Sequence, residues 1–185
     1  MTDTKKLLND NGAIRWTALV LIALMMFFAY MFVDVLSPLS TLLETSKGWS
    51  AETYGTFCSS EYFLNVFAFF LIFAGIILDK MGIRFTGILS GAVMVIGASI
   101  KLYAISDLFT PDSGLYRFLD SFWTSFPATA KLASIGFMIF GCGVEMGGVT
   151  VSKAIAKWFK GKEMALAMGL EMAIARLGVF AVFRL

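Results

Sequence analysis

The chain reads as an all-α, polytopic bundle of membrane-spanning helices. Three observations predict this class. Of its 185 residues, 58% are hydrophobic and only 15% charged, where a soluble domain is nearer half apolar and a quarter charged. The apolar residues come in blocks of about twenty, the length that crosses a ~30 Å hydrocarbon core. All three prolines fall in the segments between those blocks.

Composition also removes whole classes of function. The chain has no histidine, which excludes Ser-His-Asp triads, zinc-protease motifs and histidine proton relays. Any proton-linked step would have to use carboxylates. Cys58 and Cys142 are the only cysteines, too few for a cysteine metal site and poorly placed for a disulfide. No nucleotide-binding glycine fingerprint occurs, and no cofactor is implied. A net charge of +2 gives no reason to expect nucleic acid. An enzyme is therefore not expected.

The N-terminal tail, 1–15, is polar and short. The run 16–36 is long for a signal peptide and lacks a small-residue cleavage site, so it reads as the first span. Asp34 sits near its far end, one turn after Tyr30; the plain reading of Asp34 is a solvated helix end. Residues 37–53 read as a loop, with Pro38, Gly48 and an interfacial Trp49. Ser50 is a plausible N-cap for the second span, 54–78. That span carries Glu61 and Asn65 four residues apart, hence on one face. The pair reads as a cavity lining, or as a helix–helix hydrogen bond in the case of Asn65.

A tight turn leads to the third span, 86–105, whose Gly87, Gly91 and Gly97 permit close packing. Lys101, near its end, is expected to snorkel outward. Residues 106–131 form the longest connection. In it Phe118, Phe122, Trp123 and Phe126 suggest a short amphipathic helix at the membrane surface. The fourth span, 132–154, holds five glycines and Glu145. The lysines that follow (Lys153, Lys157, Lys160 and Lys162) are expected to meet lipid headgroups. The fifth span, 164–183, carries Glu171 and Arg176.

With the N-terminus inside, nine lysines and arginines fall on inner segments and five on outer ones. The positive-inside rule thus favours a cytoplasmic N-terminus.

The turn between spans two and three reads GIILDKMGIRFTG. It resembles the signature of the major facilitator superfamily in Gly75, Asp79, Lys80, Gly82 and Arg84, with Ile83 where a basic residue is common. The later stretch AKWFKGKEMALAMGLEMAIARLG is similar to the domain-containing-protein-1 subfamily, lysosomal dipeptide transporters of animals with bacterial relatives. Tyr30, Asp34, Pro38 and Asn65 fit the same resemblance. It implies the first five transmembrane helices of a twelve-helix major facilitator fold. Five helices alone are not expected to transport. It also implies that Asp79, Lys80 and Arg84 act as gating residues that latch the inner side. The resemblance places the chain in a bacterial inner membrane, or in a lysosomal membrane if the source is eukaryotic.

Charge inside an apolar span costs about 2.5–3.5 kcal/mol per residue on insertion scales, so it usually faces a bundle interior or water. Glu145 and Arg176 lie about 13 and 18 Å from the inner ends of their spans, at a 1.5 Å rise per residue. Carriers of this kind bind substrate near that depth. Arginine offers a planar fork for a carboxylate, and glutamate can hold an ammonium. The expectation is a zwitterionic substrate such as a dipeptide, with Glu61, Asn65 and Tyr30 lining the site. An internal Glu145–Arg176 ion pair is the structural alternative. Other functional readings are a carrier of another small organic solute or anion, or a non-transporting truncated protein that acts by helix packing.

Overall fold

The computed structural model describes residues 11–184. The expected basic tail residues Lys5 and Lys6 lie outside the described residues. Helix α1, Gly12–Asp34, is capped by the Asn11 side chain, whose oxygen accepts from Ala13 N at 3.0 Å. It starts one turn earlier than hydropathy predicts, because the cap lies in the polar segment and cap chemistry sets a helix start. Arg15, assigned to the tail by sequence, is consequently inside the helix and 7% exposed.

The segment 37–53, expected to be a loop, is helical over much of its length. A turn of 3-10 helix at Ser37–Leu39 contains Pro38 and leads into α2, Ser40–Lys47. Helix α2 ends where Gly48 takes φ 69°, a conformation glycine adopts without side-chain penalty. Trp49 is packed inside the protein. It is 1% exposed, and its Nε1 donates to Thr129 Oγ1 at 2.9 Å.

Helix α3, Ala51–Phe67, begins at Ser50, whose Oγ accepts from Thr53 N at 3.2 Å. The span expected at 54–78 is broken at Ala68 and Phe69, where Phe69 takes φ 50°. Neither glycine nor proline stands at that break, and nothing in the local sequence explains it. Helix α4, Phe70–Ile105, is continuous except at Gly82, with φ 81° and ψ 171°. There the chain reverses. Before Gly82, Leu78 and Asp79 meet Lys153. After it, Gly87 approaches Thr150 and Gly97 approaches Gly136. The two arms of α4 therefore run in opposite directions along one neighbour.

Helix α5, Gly114–Asp120, is capped by Ser113. It lies earlier than the aromatic spacing suggests, since Trp123 takes φ 47° and ends any helix there. Lys131 fastens this connection. It is 5% exposed and donates to the carbonyls of Leu119 and Phe122.

Helix α6, Ala128–Phe159, is the centre of the bundle, buried along most of its length. Its glycines are the reason it can be. A Cβ at Gly136 would lie 2.7 Å from Lys101 N and 2.8 Å from Gly97 O, and one at Gly143 2.8 Å from Met94 N. Small residues let backbones approach in a membrane, where association relies on packing rather than on a hydrophobic drive. Ser90 Oγ adds a hydrogen bond across this contact to Gly143 O, at 2.8 Å.

Helix α3 packs on the other side of α6 and runs the same way along it, Phe57 stacking on Phe137 and Glu61 lying against Gly141. Helix α7, Met164–Val182, packs mainly along α1, with Gly178 against the Phe27 carbonyl. By length and composition, four helical stretches among the described residues could cross a membrane: Gly12–Lys47, Phe70–Ile105, Ala128–Phe159 and Met164–Val182. Helix α3 is shorter and more polar.

Candidate functional site

The polar groups that the sequence singles out fall into two sets. The first lies between α3 and α6. Glu61 is 6% exposed and Asn65 9%. Glu61 is buried because Gly141 offers no side chain opposite it; a Cβ there would meet the Glu61 backbone carbonyl and, at 2.9 Å, its Cγ. Asn65 Nδ2 donates back along α3 to Glu61 O at 3.4 Å. Its Oδ1 is buried without a hydrogen-bond partner among the described residues. A buried orphan acceptor costs about 1–3 kcal/mol. Glu145 is half-buried near the midpoint of α6.

The second set lies between α1 and α7. Arg176 is exposed on α7, its guanidinium 5.1 Å from the centre of the Tyr30 ring. Glu145 and Arg176 form no ion pair. The short α6–α7 connection does not set helix adjacency; the fit of Gly178 on α1 does. The two opposite charges thus stand on different helices without pairing. Glu171 is half-buried on α7.

Lys101 is misread by sequence alone. It is 3% exposed instead of snorkelling. Its Nζ donates to Phe32 O at 2.6 Å and lies over the Phe137 and Phe140 rings, at 4.5 and 5.1 Å. Phe32 is in the last turn of α1, where carbonyls lack intrahelical donors, and a cation there also meets the negative end of the helix dipole. Lys101 thus caps α1 from another helix. The available signal is its register: Ser90, Met94, Gly97 and Lys101 follow one another at helical spacing on the packing face.

At the end of the bundle where α1 begins, Asp79 Oδ1 accepts from Lys153 Nζ at 2.5 Å, and the same ammonium lies 3.5 Å from Leu78 O. Lys153 is therefore engaged with Asp79, not left to lipid headgroups. Lys80 and Arg84 are exposed, Gly75 has open space around it, and Gly82 makes the reversal. Nearby, Arg15 Nη2 pairs with Glu163 Oε2 at 3.0 Å and stacks 5.2 Å from the Phe159 ring. The pair ties the start of α1 to the start of α7.

A cavity of about 630 Å³ opens elsewhere, between α1 and the second arm of α4. Its lining is almost wholly apolar, with Lys101 at the edge. It holds neither Glu145 nor Arg176, so volume and charge point to different places. The charged interior is the better candidate, because apolar clefts between membrane helices are filled by lipid or by further helices at no polar cost.

No family model and no solved structure matches the chain. It is similar to the lysosomal dipeptide transporter MFSD1 of several vertebrates. The Bos taurus protein is 30% identical over 107 residues, 57% of this chain and 19% of the relative. The Mus musculus protein is 26% identical over 165 residues, 89% of this chain and 31% of the relative. The Danio rerio protein is 43% identical over 47 residues, a quarter of this chain. The matched stretches thus span less than a third of these relatives' length. Motif, helical architecture and these likenesses point the same way: over these stretches the chain is similar in sequence to the MFSD1 transporters.

Proposed function

We propose that this chain supplies the substrate-facing helices of a secondary carrier that works by alternating access on a small zwitterion, a dipeptide being the leading candidate. One observation carries the reading: Glu145 and Arg176, opposite charges deep in apolar spans, stand apart without neutralising each other. A free pair of that kind fits a ligand that bears both an ammonium and a carboxylate. Glu145 takes the ammonium and Arg176 the carboxylate, with Tyr30 beside the guanidinium. Glu61 and Asn65 line the acidic side. Asp79, Lys80 and Arg84, with Gly75 and Gly82 shaping their turn, act at the cytoplasmic side, where the excess of lysine and arginine places the N-terminus. The likeness to transporters named for dipeptides supports the same substrate class.

The complete gene product, reconstituted in proteoliposomes, tests this with a labelled mixed dipeptide pool. Wild type is expected to accumulate label, and both Arg176→Ala and Glu145→Gln to lose uptake while remaining folded. Normal uptake in both variants would leave the two residues as structural and remove the zwitterion site.

A further inference from the structure

We infer that the connection between α4 and α6 carries an aromatic membrane anchor, Phe118, Phe122 and Trp123, which seats in the headgroup layer of the bilayer and is held in position by Lys131. Of the four aromatics that the sequence singles out here, only Phe126 is turned inside. Phe118 is 65% exposed and Trp123 61%. Leu115 and Phe118, three residues apart on α5, share a helix face, and the Phe118 ring meets that of Phe122 at 5.8 Å. The four side chains make one apolar patch. The neighbouring basic groups are already engaged: Lys47 Nζ pairs with Asp107 at 3.0 Å, and Arg117 Nε donates to Pro111 O at 3.3 Å.

The patch is held outward, not left loose. Lys131, buried in the first turn of α6, donates to the carbonyls of Leu119 and Phe122, and its ammonium lies 4.7 Å from the centre of the Phe122 ring. Trp123 takes φ 47°, a conformation that a bulky residue keeps only where its surroundings impose it. Its carbonyl accepts from Phe126 N at 3.0 Å, and its ring stacks on Phe126 at 4.9 Å. One face of the indole is covered and the rest is presented outward.

Two observations place the patch at the membrane surface rather than in open water. The apolar block 132–154 begins one residue after Lys131, and α4 ends at Ile105, so both feet of the connection stand at the boundary of a span. The patch also continues the outward face of α4. Ile96 and Tyr103, seven residues apart, are both exposed on that face. The Tyr103 ring packs 5.6 Å from Phe109, which lies 5.1 Å from Tyr116, the neighbour of Leu115. An apolar face exposed along a span meets lipid, and tryptophan collects where such a face reaches the headgroups. An exposed apolar patch of this kind marks a membrane or a protein contact; its continuity with the face of a span favours the membrane.

The test reads tryptophan fluorescence of the complete gene product in lipid nanodiscs. The spectrum of Trp123→Phe, a conservative change at an exposed position, is subtracted from that of wild type to isolate the Trp123 component. Lipids brominated near the headgroup are expected to quench it more than lipids brominated at the chain ends, and more than acrylamide in the water. By the same subtraction, Lys131→Met should shift the component to the red and toward acrylamide quenching, and Lys131→Arg, which keeps a charged donor, should restore quenching by lipid. Stronger quenching by acrylamide than by either lipid puts the patch in water, free for a protein partner, and overturns the inference. So does a component that no quencher reaches, or one that the chain-end bromines quench most. An unchanged component in folded Lys131→Met removes Lys131 from the anchor. The wild-type measurement decides the anchor itself whether or not that variant folds.

Discussion

Replacing Gly97 by alanine tests the claim that the bundle is held by backbone contact between α4 and α6. The new Cβ would lie 2.7 Å from Gly136 O and from Phe140 Cα, and closer still to Phe140 N. Ordinary contact begins near 3.4 Å. These obstacles are backbone, so no rotamer change removes them, and with Phe140 N at 2.4 Å the helices must part by about 1 Å. A gap of about 0.5–1 Å already forfeits a quarter to a half of the local dispersion attraction. The Ser90–Gly143 hydrogen bond, now 2.8 Å, would stretch past hydrogen-bonding distance. Overpacking of this kind costs about 1–3 kcal/mol, and the upper half of that range is expected because the bond is lost as well.

The control is Gly91→Ala, on the same helix arm with nothing within 4 Å of its new Cβ. In a helix, alanine is favoured over glycine by about 0.5–1 kcal/mol, so this variant should be neutral or stabilised. Both are read by reversible unfolding in mixed detergent micelles, followed by far-ultraviolet circular dichroism. Equal stability of the two variants would refute the backbone contact and with it the placement of α4 on α6.

Three further outcomes follow from the same contacts. Gly82→Ala should cost about 1–2 kcal/mol, because the left-handed conformation at φ 81° penalises any Cβ; unfolding midpoints measure it, and an unchanged midpoint would mean the reversal is made elsewhere. Lys101→Met should destabilise by roughly 1–3 kcal/mol, since the Phe32 carbonyl loses a charged donor, whereas Lys101→Arg should cost less; equal losses would argue against the capping role. Trp49→Phe should cost about 0.5–1.5 kcal/mol through the lost bond to Thr129, and Thr129→Val beside it should show the coupling in a double-mutant cycle.

Much of the architecture is legible in the sequence because it depends on local chemistry. The positions of the apolar blocks follow from insertion cost residue by residue. The Ser50 cap follows from a hydroxyl placed three residues before an orphan N–H. The reversal at Gly82 follows from a glycine set between two apolar runs in a motif that also carries Asp79. The polar residues worth examining, Glu61, Asn65, Glu145 and Arg176, are equally visible, because charge and amide stand out against apolar runs.

What the sequence leaves open is which face of each helix meets which neighbour. In a soluble protein the apolar stripe marks the buried face. In a membrane, lipid is as apolar as the protein interior, so hydropathy does not distinguish them. Lys101 therefore reads as a surface lysine until the fold brings Phe32, Phe137 and Phe140 around it. Arg176 reads as a partner of Glu145 until Gly178 seats α7 on α1. The positions of the apolar blocks, the turn at Gly82 and the charges set within those blocks are determined by the sequence itself. Tertiary structure alone decides the pairing of those charges, because it depends on backbone approach at a few glycines and not on composition.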